Sequence, residues 1–203
     1  MLKLPLDMMM MKHIFVSGAD FKMIVKTRES IGCDPDEITF VSILKACGSI
    51  QAIDKGKQIH DEIIQRGLDR EMFVGSSLVD MYARYGLLSN AEQVFDRLVM
   101  RNAVSWNCLI AGYVKHGYNE EALRCFELMQ VQMLEDHAIT PTTITFVCSL
   151  KACSNMVAIY KGTQIHAAIV RKGLQSDMFI ASALVDMYAT CGLLLKAHQL
   201  FDQ

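Results

Sequence analysis

Residues 35–97 return as residues 141–203, 106 positions later, with 35 of the 63 pairs identical. The run Pro35-Asp36-Glu37-Ile38-Thr39-Phe40-Val41 comes back as Pro141-Thr142-Thr143-Ile144-Thr145-Phe146-Val147. Leu44-Lys45-Ala46-Cys47 comes back as Leu150-Lys151-Ala152-Cys153, and Leu78-Val79-Asp80-Met81-Tyr82-Ala83 as Leu184-Val185-Asp186-Met187-Tyr188-Ala189. A duplication this long dictates an array of stacked units, because one short unit cannot bury its apolar face alone. Arrays of this kind bind along a concave face rather than in one pocket. Function then belongs to the few positions that differ between units.

Within the repeat the apolar residues recur at helical spacing. Ile38, Phe40, Val41, Leu44 and Cys47 define a first helix, and Gly48 and Ser49 are expected to break it. A second helix carries Ile53, Ile59, Ile63 and Ile64 and stops at Gly67. The next pair has Phe73, Leu78, Val79 and Tyr82, then Ala91, Val94, Phe95 and Leu98, with Ser89 or Asn90 as the expected N-cap. The third has Trp106, Leu109, Ile110, Tyr113 and Val114, then Ala122, Leu123, Phe126 and Met129, with Asn119 as the expected cap. The predicted fold is all-α, a right-handed superhelical solenoid of stacked helix-turn-helix repeats. Its units are 37–71, 72–102, 103–142, 143–177 and a truncated 178–203. Residues 1–36 form a degenerate N-terminal segment with a partial repeat.

Composition narrows the function classes. An apolar content of 52% argues for a packed structure. A net charge of −2 lacks the surplus of Lys and Arg that neutralises phosphates in dedicated nucleic-acid binders, although a local groove can be basic on a neutral molecule. The seven cysteines (33, 47, 108, 125, 148, 153 and 191) are odd in number and include no Cys-x-x-Cys, so they read as reduced thiols. No apolar run approaches the roughly 20 residues of a membrane span. Residues 1–25 hold no Arg, one Ser, and both Asp7 and Asp20, a poor match to a transit peptide. Neither the His-x-Glu with Pro-Cys-x-x-Cys of a zinc deaminase nor a phosphate-cradling loop occurs, so no catalytic residue, cofactor or small-molecule substrate is expected. Cys47 with His60, repeated as Cys153 with His166, could suggest zinc. Both residues fall on apolar helix faces and lack a close Cys pair, so no metal site is expected.

Val104-Ser105-Trp106-Asn107-Cys108-Leu109-Ile110-Ala111-Gly112-Tyr113, followed by His116-Gly117 and Glu121-Ala122-Leu123, resembles the standard motif of pentatricopeptide repeat proteins. Phe40 to Cys47 with Gly56-Lys57-Gln58-Ile59-His60 resembles their long motif. Phe73-Val74-Gly75, Leu78 to Ala83 and Ala91 to Asp96 resemble their short motif. The order long, short, standard, long, short resembles the plant subclass tied to organelle transcripts, chiefly to C-to-U RNA editing. The third unit departs from the pattern, with about five extra residues between Phe126 and Pro141. The resemblance implies single-stranded RNA as partner, alongside proteins of an editing complex, and a mitochondrial or chloroplast location.

In that family the fifth and last residues of a unit choose the base. The implied pairs are Val41 with Glu71, Ser76 with Asn102, Asn107 with Thr142, and Val147 with Asp177, and Ser182 is the fifth residue of the last unit. Ser with Asn resembles the adenine-preferring pair. Asn at the fifth position favours a pyrimidine. The second residues, Ile38, Phe73, Val104, Ile144 and Phe179, would wedge between bases. Outside the repeat, Asn107 would read as a solvated polar residue and Val41 and Val147 as packing residues. Ser76 and Ser182 would read as small fillers. A tetratricopeptide-like protein scaffold is the rival class, since its paired helices are similar. A non-functional fragment is the third reading.

Overall fold

The computed structural model describes residues 36–50, 52–136 and 139–202. The expected degenerate N-terminal segment with its partial repeat, 1–36, lies outside these residues, apart from Asp36. Ten helices make up the described chain: α1 (Glu37–Ile50), α2 (Ile53–Gln65), α3 (Met72–Arg84), α4 (Leu88–Arg97), α5 (Ala103–Lys115), α6 (Asn119–Glu135), α7 (Thr143–Met156), α8 (Ile159–Arg171), α9 (Met178–Thr190) and α10 (Leu194–Phe201). Among the described residues there is no strand. The class is all-α, and the fold is a superhelical repeat fold of helical hairpins.

The helices form two compact units, one up to Met100 and one from Arg101 onward. In the first, α1 packs on α2 and α3, and α3 on α4. Phe40, Ile43, Leu44, Ile59, Ile63, Leu78 and Met81 make its core. In the second, α5 packs on α6 and α7, α7 on α8 and α9, and α9 on α10. Its core is Ile110, Leu123, Met129, Phe146, Leu150, Ile169, Leu184 and Tyr188. Most helical-period residues of the sequence are buried, though Ile38, Ile64 and Phe73 are exposed, and Ile43 and Met81, outside the stated pattern, join the core.

Helix ends follow backbone chemistry more than side-chain capping. At the end of α2 the Leu68 N–H donates to the Ile63 carbonyl (3.0 Å) and the Gly67 N–H to that of Ile64 (3.0 Å). This is the Schellman arrangement, and Gly67 supplies its left-handed residue at φ +70°. The end of α7 uses the same bonds without a glycine: Val157 takes φ +53° while the N–H of Ala158 donates to Cys153 and its own to Ser154.

Three expected boundaries move. α1 does not break at Gly48 but runs on to Ile50, since a glycine inside a helix only weakens it. The cap before α4 is Leu87, not Ser89 or Asn90, and makes no side-chain bond. Asn119 is the first residue of α6, behind Tyr118; its amide donates to the Gly117 carbonyl (3.1 Å) and accepts from Asn155 (3.0 Å). The extra residues of the third unit lengthen α6 to 17 residues, against 13 in α2 and α8. That extension carries Gln132, whose Oε1 accepts the indole N–H of buried Trp106 (3.0 Å).

Candidate nucleic-acid interface

Each first helix presents its second residue to solvent. Ile38 is 71% exposed, Phe73 62%, Val104 57%, Ile144 58% and Phe179 66%. Residues two positions further on, Phe40, Gly75, Trp106 and Phe146, are buried, and Ala181 is half-buried. One helix surface therefore carries an apolar side chain that packing does not use. In the second unit α5, α7 and α9 adjoin, so Val104, Ile144 and Phe179 recur at one register on neighbouring helices.

The fifth residues lie one turn beyond these on the same helices. Val41 and Val147 are half-buried, Ser182 is exposed, and Ser76 and Asn107 are buried. Ser76 Oγ donates back to the Met72 carbonyl of its own helix (2.6 Å), the usual fate of a mid-helix serine. Asn107 reaches the following hairpin: Nδ2 donates to Thr142 Oγ1 (3.0 Å) and Oδ1 accepts from Thr145 Oγ1 (2.5 Å).

The last residues stand at the N-cap of the next first helix: Glu71 before α3, Asn102 before α5, Thr142 before α7 and Asp177 before α9. Their extended backbone leaves the side chain facing the orphan amides of the first turn. Asn102 Oδ1 accepts from the Ser105 N–H (2.8 Å) and the Asn102 N–H donates to Ser105 Oγ (3.1 Å), a capping box. Asp177 Oδ1 accepts from the N–H groups of Phe179 (2.9 Å) and Ile180 (3.2 Å), and Oδ2 from Thr143 Oγ1 (2.9 Å). The Thr143 hydrogen bond, with the two amides, holds the Asp177 carboxyl below its usual range. Glu71 makes no capping bond.

Of the expected pairs, Asn107 and Thr142 are in direct contact. Asp177 engages Thr143 at the start of α7 rather than Val147. Ser76 belongs to the first unit and Asn102 to the second. The third residues Thr39, Ser105 and Thr145, not singled out by sequence reasoning, each bond the preceding last residue. The spacing Asp36-x-x-Thr39, Asn102-x-x-Ser105, Thr142-x-x-Thr145 was the available signal.

The cysteine–histidine pairs serve packing. His60 Nδ1 lies 2.8 Å from Tyr82 Oη, and His166 Nδ1 2.8 Å from Tyr188 Oη. Burial pushes the Cys47 and Cys153 thiols up to about 11. No helix among the described residues is long and apolar enough to cross a membrane.

Helical hairpins whose first helices each expose their second residue define the class, a helical-repeat protein. Residues 101–155 match the model of the PPR repeat family, and residues 76–102 that of the PPR repeat, so the stretch 76–155 carries PPR repeats. The chain's relatives in Arabidopsis thaliana include a pentatricopeptide repeat-containing protein 44% identical over 85% of this chain and 25% of that protein. CRR2, named chloroplastic, is 40% identical over 85% of this chain and 26% of its own length. One named mitochondrial is 37% identical over 86% of this chain and 16% of its own. The chain thus spans about a quarter or less of the length of these relatives. Among solved structures, PPR10 from maize matches with a TM-score of 0.69 and 22% identity, over 93% of this chain and 27% of that one. PPR10 in complex with an 18-nt psaJ RNA element matches at 0.67 and 23%, over 88% and 26%. That likeness is one of fold.

Proposed function

We propose that the chain binds single-stranded RNA base by base and serves organellar RNA processing, as a recognition module for C-to-U editing sites in a mitochondrion or chloroplast. The observation that carries this reading is the exposure of all five second residues, with Phe73 and Phe179 largely in solvent. An exposed apolar or aromatic side chain on each first helix suits unstacked bases, each of which offers a flat face. Val41, Ser76, Asn107, Val147 and Ser182 stand one turn away as base readers, with Glu71, Asn102, Thr142 and Asp177 as their partners. The relatives' names support the organelle, and the long–short–standard order supports the editing class.

Phe73→Ala and Phe179→Ala test the reading. Base–aromatic stacking contributes about 1–3 kcal/mol per base, so each change should weaken RNA binding about fivefold or more. Both side chains are exposed, so the melting temperature should stay. Unchanged RNA affinity in both variants, with capture of unstructured peptides instead, would establish the protein-scaffold class. At the second motif, Asn102→Asp should shift the preference from adenine toward guanine in competition between oligomers. The fold should hold, because a carboxylate accepts the Ser105 N–H as well as an amide does.

A further inference from the structure

A closed circuit of hydrogen bonds joins the third unit to the fourth. Asn107 Nδ2 donates to Thr142 Oγ1 (3.0 Å), Thr142 Oγ1 and Thr145 Oγ1 are 3.2 Å apart, and Thr145 Oγ1 donates to Asn107 Oδ1 (2.5 Å). The Thr142 N–H also donates to Thr145 Oγ1 (2.9 Å). A hydroxyl has one hydrogen. That of Thr145 goes to Asn107, so Thr142 donates across the gap between the hydroxyls. Every donor then has an acceptor around the ring.

The lengths agree with this amide orientation. A separation of 3.0 Å suits N–H···O, whereas 2.5 Å suits O–H···O and is too short for an amide donor. Turning the amide over would reverse every hydrogen in the circuit and place an N–H across the short gap. The surroundings are dry, with Thr145 0% and Asn107 8% exposed, so a broken ring leaves polar atoms unpaired where that is costly. Two other third-position hydroxyls bond within their own turn. Ser105 Oγ donates to the Asn102 carbonyl (2.9 Å), and Thr39 Oγ1 to the Asp36 carboxylate.

With the ring closed, Asn107 retains one Nδ2 hydrogen and one Oδ1 lone pair, each in a fixed place. Exchanging the two is what would convert a uracil reader into a cytosine reader. Uracil presents a donor at N3 and an acceptor at O4, and cytosine the reverse. We propose that Thr145 is a positioning residue for base choice: it locks the Asn107 amide so that the third unit separates uracil from cytosine. Thr145 touches no base itself. The inference rests on the RNA-reading function proposed above.

The test is competition between single-stranded RNA oligomers that differ by uracil or cytosine at one position, using the whole chain at low salt. The wild type should separate the two by about tenfold at one position, the scale of one good base contact. Thr145→Ser keeps the hydroxyl and should keep the ratio. Thr145→Val keeps the shape, loses the hydroxyl, and should bring the ratio to within roughly twofold. A purely structural role would shift the melting temperature and weaken all oligomers together, without changing their ratio. Thr145→Val with the wild-type ratio overturns the proposal. So does a wild type that binds RNA but separates uracil from cytosine nowhere, and both outcomes leave RNA binding standing. A wild type that binds no RNA removes the functional reading and this inference with it. Independently of RNA, the Asn107 side-chain amide protons should exchange slowly by NMR, and fast exchange overturns the ring even if Thr145→Val fails to fold.

Discussion

His60 and His166 hold equivalent places in the duplicated hairpin and meet the same partner. Their rings lie edge-on to Tyr82 and Tyr188, with centroids 5.5 and 5.6 Å apart. Burial lowers both pKa values below the ordinary 6.5. At His60 the charges of Asp61 and Asp69 oppose the shift and Arg97 adds to it; at His166 Lys196 adds to it. A lowered folded pKa means that the unfolded chain takes up protons first as pH falls. Stability from these residues is therefore complete above pH 6.5, and is lost as pH falls from there through the folded-state values. Thermal melts followed by circular dichroism should be flat from there up to the ordinary thiol value of 9.0, above which the raised Cys47 and Cys153 thiols destabilise the fold, and should fall on the acid side. The double variant His60→Gln, His166→Gln should show a shallower fall, and identical pH profiles would refute the assignment. A second residue-scale test is Leu78→Asp. Leu78 is 0% exposed in the core of the first unit. Burying an unpaired carboxylate there should cost about 3–5 kcal/mol, and an unaltered melting curve would show that the core is assigned wrongly.

The ends of α2 and α7 show what a single residue does to an element. Both close with the same pair of backbone bonds, but α2 uses Gly67 and α7 uses Val157 in the left-handed region. A β-branched residue there costs roughly 1–2 kcal/mol. Its side chain is 58% exposed, so it recovers little by burial. Val157→Gly should raise stability by about 0.5–1 kcal/mol, the relief of strain less the added entropy of an unfolded glycine. Chemical denaturation would measure this, and a loss of stability would mean that the Val157 contacts matter more than its backbone. The same elements mark how far the sequence could be read. Helix existence followed from apolar periodicity, and Phe40, Leu78, Ile110 and Phe146 all fell inside. Helix ends followed less well, because Gly48 carries no obligation to stop a helix and Leu87 caps with its backbone alone. Exposure of Phe73 and Phe179 was legible from their place in the motif. The Asn107–Thr145 bond was not, since it links positions 38 apart and depends on how α5 sets against α7.

At the scale of the whole molecule, the charge total and the proposed ligand pull in opposite directions. Twenty Lys and Arg face 22 Asp and Glu, so there is no general attraction for a polyanion. The candidate phosphate contacts are few. Lys45, Lys115 and Lys151 sit toward the ends of first helices, and Lys151 is paired with Asp186 at 3.2 Å. That pair is about half exposed on both sides and is worth little, so a phosphate could displace the carboxylate. RNA affinity should then come mainly from stacking and base contacts, with only about two or three phosphates neutralised. Each neutralised phosphate on a single strand contributes a slope of about −0.7 to the logarithmic salt dependence. Raising salt from about 50 to 200 mM should therefore weaken binding only about tenfold. Fluorescence titration of a labelled oligomer across that range measures the slope. A loss of about a thousandfold would require about seven phosphate contacts, more than Lys45, Lys115 and Lys151 supply. Binding that ignores salt altogether would mean that no phosphate is touched, and the exposed apolar residues Ile38, Phe73, Val104, Ile144 and Phe179 would then be better matched to a protein segment than to a nucleic-acid strand.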